Sequence, residues 1–158
     1  VDESGLSTKP TRARTWAPRG QTPLLFESFN WKSLSVIGGL SLRRFYFQIH
    51  KGSIKSGQVI EFIKHLQRHL KRRLLIIWDG AAIHRSKEVQ AYIASTRGRV
   101  RAERLPPYAP ELNPVEYLWA YLKSHQIANQ VAMEAWELNF EATAALRKMR
   151  RCPSTIAA

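Results

Sequence analysis

The sequence predicts a mixed α/β fold, a sheet flanked by helices, and three consecutive stretches carry that prediction. The stretch "LLIIWD", Leu74 to Asp79, is an apolar run bounded by Arg72, Arg73 and Gly80. That is the pattern of a strand buried on both faces in the middle of a sheet. Before it, Val59, Ile63, Leu66 and Leu70 recur at spacings of four, three and four, which puts one apolar stripe on a helix over about Ser56 to Lys71. Before that, "SLSVIGGLSL" and "RRFYFQIH" read as the arms of a β-hairpin, Ser33 to Leu42 and Arg43 to His50. Strand, crossover helix and strand make a parallel βαβ unit.

The chain opens on Val1 and Asp2, read as the last residues of a first strand that is otherwise missing. Residues 3 to 33 mix Gly, Pro, Ser and Thr with isolated aromatics and read as an irregular excursion, with short strands near Trp16 and over Leu24 to Phe26. In the hairpin, Phe45, Phe47 and Ile49 point one way while Tyr46 and Gln48 point the other. Gly38 and Gly39 mark a bulge or a close backbone approach within the first arm. The outer face of the following helix carries Lys64, His65, Arg68, His69 and Lys71.

After "LLIIWD", a helix from Ser86, its N-cap, to Ala94 buries Val89, Tyr92 and Ile93. "RVRAERL" is a short strand with Val100 and Ala102 inward and arginines outward, a composition suited to a sheet edge. "PPYAPELNP" ends it and starts a helix from Pro114 to about Gln126. A last helix, about Met133 to Met149, carries Trp136 and Phe140 on one face, and residues 151–158 read as a frayed tail. With no repeat and no linker, residues 1–150 form one domain, large enough for a core without staples.

Charge narrows the function. The chain holds 25 Lys and Arg against 12 Asp and Glu, a net charge of +13 and a pI near 10.5. Such a balance points to a polyanion, with nucleic acid leading. The excess is local: residues 43 to 73 hold nine basic residues against Glu61 alone, whereas residues 105 to 158 hold five of each sign. Arg43, Arg44, Lys51 and Lys55 flank the hairpin and are the expected DNA track; a merely solvated face is the plain alternative. One cysteine, Cys152, excludes an internal disulfide and suits a reducing cytosol. No apolar run reaches membrane-spanning length and no signal-peptide core is present.

The acids are few enough to weigh one by one. Asp2 and Asp79 are the only aspartates, and both are read at strand ends, where α/β sheets collect ligands. Glu116 opens the helix after "APELNP". Three acids converging from separate elements offer the hard oxygens that Mg²⁺ takes, together with water and substrate phosphate. Two such ions ~4 Å apart can activate an attacking hydroxyl and stabilise the leaving oxygen of a phosphodiester. Each acid also has a plain reading. Asp79 before Gly80 opens a turn, Glu116 completes a capping box with Asn113, and Asp2 lies in a disordered terminus. His65 and His69 have the i, i+4 spacing of a zinc pair, but no glutamate follows His65 and no third ligand is near. Cys152 has no local histidine to activate it.

The stretches "DESG", "TWAPRG", "WDGAAIHRS" and "LPPYAPELNPVEYLWAYLK", in this order, resemble the catalytic domain of DDE-type transposases, in the bacterial insertion-sequence branch related to the mariner elements. The resemblance implies an RNase H-like fold, a mixed five-stranded sheet flanked by helices, with the first strand truncated in this chain. It implies DNA cleavage and strand transfer with Mg²⁺ or Mn²⁺, two ions, held by the triad Asp2, Asp79 and Glu116. Glu3, Glu111 and His84 stand beside the motif positions without belonging to the triad. The implied partners are element-end and target DNA, in a homodimer, acting in the bacterial cytoplasm at the nucleoid.

Three departures qualify the resemblance. Gly80 stands where relatives often have asparagine, Val1 alone precedes Asp2, and the helix-turn-helix region that normally comes first is absent from this sequence. The rival expectation is a catalytically silent DNA-binding remnant of a decayed or split transposase; a ribonuclease of the same fold is a weaker one. With so little of the first strand, the ladder beside "LLIIWD" is expected to be partly unpaired, and the chain marginally stable and inactive alone.

Overall fold

The computed structural model describes residues 1–9, 11, 13–14, 16–21, 24, 31–42, 44–107, 109–129, 132 and 134–151. In chain order its elements are β1 (Asp2–Ser7), β2 (Ser33–Leu40), β3 (Phe45–Lys51), α1 (Ser56–Leu70), β4 (Leu74–Trp78), α2 (Lys87–Ser95), β5 (Val100–Arg104), α3 (Pro114–Tyr121) and α4 (Ala135–Arg151). A short 3-10 turn, Ala82–Arg85, links β4 to α2, and a π-helical turn, Leu122–Gln126, extends α3. Among the described residues no helix is long and apolar enough to cross a membrane.

β2 lies between β1 and β3 and is antiparallel to both; Asp2 faces Gly38, and Gly38 faces Phe47. β4 and β5 pair in parallel, Leu74 with Val100 through Trp78 with Arg104. The five strands therefore hydrogen-bond as a three-stranded and a two-stranded sheet. They meet where the backbone nitrogen of Val1 donates to the Ile77 carbonyl at 2.6 Å. The expected five strands of mixed direction are present.

Side-chain alternation divides the core in two. Leu6, Leu34, Val36 and Phe45 face α3 and α4, with Leu118, Trp119, Leu122, Leu138 and Leu146. On the opposite face Ile37 and Tyr46 join Val59, Phe62 and Ile63 of α1, Ile76 and Trp78 of β4, Val89 and Val100. This second cluster bonds the two sheets where backbone pairing is sparse. The hairpin alternation, the α1 stripe, the Ser86 cap and the inward Val100 are all as the sequence implies.

Four expectations need correction. β1 does not end at Asp2 but runs on to Ser7, because Asp2, Leu6 and Thr8 alternate inward beneath a polar, glycine-bearing surface. Thr8 prolongs the pairing: its N–H donates to Lys32 O, and Lys32 N–H to Thr8 Oγ1, both at 2.9 Å. "LLIIWD" is buried on one face only, with Leu75 61% and Ile77 49% exposed. The helices on that side, α3 and α4, cover β1 to β3 and leave β4 open. On α4, Trp136 and Phe140 face outward, and the buried stripe is Leu138, Ala142, Ala145, Leu146 and Met149, whose two alanines suit a close approach to the sheet. Trp16 and Leu24 lie in irregular, exposed chain rather than strands. Leu25, Phe26, Arg43, Met133 and residues 152–158, most of the expected tail, lie outside the described residues, while Arg151 closes α4.

Gly38 shows why the glycine pair is there. The register across Gly38 and Gly39 is unbroken, so there is no bulge. A Cβ on Gly38 would stand 2.6 Å from Trp119 Cη2 and 2.8 Å from Cζ2. The indole lies against bare backbone. Gly38→Ala is expected to destabilise the chain by about 1–3 kcal/mol, the cost of overpacking a filled core, read as a lower urea midpoint with the denaturant slope unchanged.

Candidate active site

The site is built from the junction of the two sheets outward. β1 turns Asp2 toward α3, where it is 5% exposed. Trp119 Nε1 donates to Asp2 Oδ2 at 2.8 Å. Trp119 lies one helical turn after Glu116, so both project from one side of α3. Burial first, and the Glu116 charge second, push the Asp2 carboxyl up to about 6 from its ordinary 3.8, against the Trp119 hydrogen bond, which lowers it. Asp2 therefore marks a buried surplus of negative charge inside a strongly basic chain.

The start of α3 sets Glu116. Asn113 caps the helix, its side chain accepting from Val115 N–H at 3.3 Å, and Pro114 stands in the first turn. The capping box does not close: among the described residues the Glu116 carboxylate accepts no hydrogen bond, and its side chain is exposed. The carboxylate is thus free for the neighbourhood of Asp2.

Asp79 follows the last residue of β4. Its Oδ1 accepts from Ala81 N–H at 3.0 Å, so the turn reading holds. The same Oδ1 stands 2.9 Å from His84 Nδ1, which makes its hydrogen bond to the Asp79 backbone carbonyl at 3.3 Å. Both contacts fall on one oxygen, which leaves Oδ2 on a half-exposed side chain. His84 is buried, stacks on Trp78 at 4.4 Å between centroids and 2° between planes, and reaches Glu3 Oε1 with Nε2 at 3.1 Å. Burial pulls the imidazole pKa down; the Glu3 hydrogen bond and the Glu3 and Asp79 charges outweigh it, and the pKa stands above its ordinary value.

The three sequence-derived acids thus fall into two groups. Asp2 and Glu116 are coupled on the α3 side, and Asp79 is tied through His84 to Glu3. Among the described residues no group of three or more His, Cys, Asp or Glu side chains is placed to hold a metal ion. The His65 and His69 rings lie 4.2 Å apart, tilted at 42°, and His69 Nδ1 is spent on the His65 carbonyl at 2.8 Å, so the zinc-pair spacing serves the helix.

Arg44, Lys51 and Lys55 are all exposed. The register splits them: Lys51 is level with Leu34 and Leu6 at one end of β3, and Arg44 sits at the hairpin turn beyond the other. They flank the level of Asp2 on both sides rather than forming one patch; Arg43 lies outside the described residues. Sequence reasoning leaves His84 without a role and passes over Trp119. Their signals are the spacing of Trp119 one turn after Glu116 and of His84 just past Asp79.

Comparison with known proteins places these features. A family model described as DDE superfamily endonuclease matches residues 1–138. An insertion element IS630 uncharacterized 39 kDa protein of Shigella sonnei is 25% identical over 158 residues, 98% of this chain and 44% of that one. The Mos1 transposase paired-end complex with a left transposon end aligns at a TM-score of 0.64 and 18% identity, covering 99% of this chain and 53% of that chain. The Mos1 transposase catalytic domain solved with Raltegravir and Mg aligns at 0.55 and 19%, covering 80% and 73%. The structural likeness establishes the RNase H-like fold. The chain spans about half the length of the IS630 relative and of the paired-end Mos1 chain.

The Asp2 shift has a stability consequence with a definite sign. The folded chain keeps a proton on Asp2 up to about pH 6 that the unfolded chain releases near 3.8. Stability is therefore full below 3.8 and falls as pH rises through about 6. Asp2→Asn removes the buried charge and keeps a group that can accept from Trp119. It is expected to be more stable than the parent at pH 8 by up to about 3 kcal/mol, with the difference vanishing near pH 4, as measured by urea unfolding with chelator present.

Proposed function

Because the chain belongs to the DDE superfamily endonucleases, we propose that it is the catalytic domain of a transposase that cleaves the ends of an insertion element and joins them to target DNA. The observation that carries this reading is the buried Asp2 carboxyl, raised by burial and by Glu116. Such like-charge crowding is what a cation relieves. The donor chemistry fits a divalent ion: Asp2, Asp79 and Glu116 offer only hard oxygens. An open arrangement suits Mg²⁺ or Mn²⁺, which bind through one or two carboxylates, waters and substrate phosphates rather than a full protein cage. The Mos1 catalytic domain solved with Mg supports the same cofactor class. Bound there, two such ions would supply an activated hydroxyl and charge stabilisation at the phosphorus.

The chain's own residues do the rest. Trp119 orients Asp2, Asp79 keeps Oδ2 open toward solvent, and Glu116 holds an uncommitted carboxylate at the first turn of α3. Arg44, Lys51 and Lys55 supply positive charge to phosphates on both sides of the acids. The Mos1 complex with a transposon end supports DNA as partner; we extend the proposal to a homodimer acting on element-end and target DNA in the bacterial cytoplasm at the nucleoid. The presence of all three acids favours an enzyme over a silent remnant.

In the full-length protein, Asp79→Asn or Glu116→Gln is expected to reduce Mg²⁺-dependent nicking of element-end DNA to background while leaving the Kd for DNA nearly unchanged. Full cleavage by either variant would contradict a metal-holding role for that acid. For this chain by itself, binding should be electrostatic: log K against log salt should fall with a slope of roughly −5 for about six phosphates, and equally for element-end and random duplexes. A clear preference for the ends would reveal a sequence-reading element within these residues.

A further inference from the structure

We propose that His84 is a positioning residue that sets the Asp79 carboxylate and, through Glu3, the spacing of the two carboxylate-bearing strands; the proposal rests on the metal-site reading above. The two sheets share no ladder among the described residues, and Val1 to Ile77 is the backbone bond that joins them. His84 crosses the same junction: Nδ1 bonds the Asp79 backbone carbonyl at 3.3 Å and stands 2.9 Å from Asp79 Oδ1, and Nε2 reaches Glu3 Oε1 at 3.1 Å. Glu3 directly follows Asp2 on β1, so a tie to Glu3 fixes β1 at the residue next to the buried acid.

His84 is held on every side. Trp78 stacks flat against its ring. The His84 backbone N–H donates to Ala81 O at 3.1 Å, and its carbonyl accepts from Gln90 Nε2 at 2.8 Å. A ring with so little freedom transmits position. Its Nδ1 bonds the Asp79 backbone carbonyl at 3.3 Å, which fixes the residue, and its charge draws Oδ1 at 2.9 Å, which aims Oδ2. Groups that orient metal-binding carboxylates act on metal affinity through such contacts.

The test is Mn²⁺ binding to the whole chain, read by electron paramagnetic resonance, with circular dichroism melts to check folding. Asp79→Asn should lose binding, and His84→Ala should weaken it by ~10–100-fold. Of the two amides, Asn in place of His84 puts an N–H near the position of Nδ1 and should restore affinity, whereas Gln reaches toward Glu3 and should not. If His84→Ala does not fold, the amides decide: tighter binding by Asn than by Gln supports the proposal, and equal binding overturns it. A folded His84→Ala that binds like the parent, with Asp79→Asn defective, overturns the His84 proposal alone. Undiminished binding by Asp79→Asn overturns the metal reading and takes the proposal with it.

Discussion

The hydrogen bond from Trp119 to Asp2 is the contact on which the site depends. A carboxylate at the start of β1 would ordinarily face water. Instead the indole lies over it, and the N–H is the polar group that offsets part of its burial. The same bond docks α3 on the sheet, and with it Glu116, one turn earlier on the same helix. Its geometry requires bare backbone at Gly38, directly across from Asp2. Sheet register, a glycine and a helix face therefore meet in a single interaction. The energetic result is a buried carboxyl whose charged form is disfavoured by burial and by Glu116.

The junction between the sheets works differently. Backbone pairing is sparse there, and cohesion comes from the apolar cluster beneath α1 and α2, with His84 as its polar member. Ile37 of β2, Phe62 of α1 and Trp78 of β4 are all buried in that cluster. Hydrophobic contact fixes the layers, but it is non-directional. The directional element is the Glu3–His84–Asp79 bridge, which is why precision at the acids resides in a few polar contacts rather than in the bulk of the core.

Much of this is legible in the sequence. The α1 stripe, the hairpin alternation and the Ser86 and Asn113 caps follow from short-range periodicity and capping chemistry, and the structure keeps them. The motif strings point to the family that the match over residues 1–138 establishes. The length of β1 is not legible, because "ESGLS" pairs by register with β2, a long-range cause that its polar composition hides. The exposure of Leu75 and Ile77, and the outward turn of Trp136 and Phe140, depend on which helices cover which strands. Local pattern cannot supply that. The tie of His84 to Glu3 spans 81 positions, so no window of sequence contains it.

The uncovered side of β4 has a consequence for handling the protein. Leu75 pairs with Arg101 and Ile77 with Glu103, so charged side chains of β5 lie beside the exposed apolar ones. Such charges hinder sheet-to-sheet stacking between copies, as gatekeepers do, and the net charge of +13 adds repulsion between whole chains. Both protections are electrostatic and fade as salt shortens the screening length to ~8 Å at physiological strength and ~3 Å at 1 M. Salt added to strip bound nucleic acid from the protein also removes what keeps its copies apart, so purification by high-salt elution works against colloidal stability.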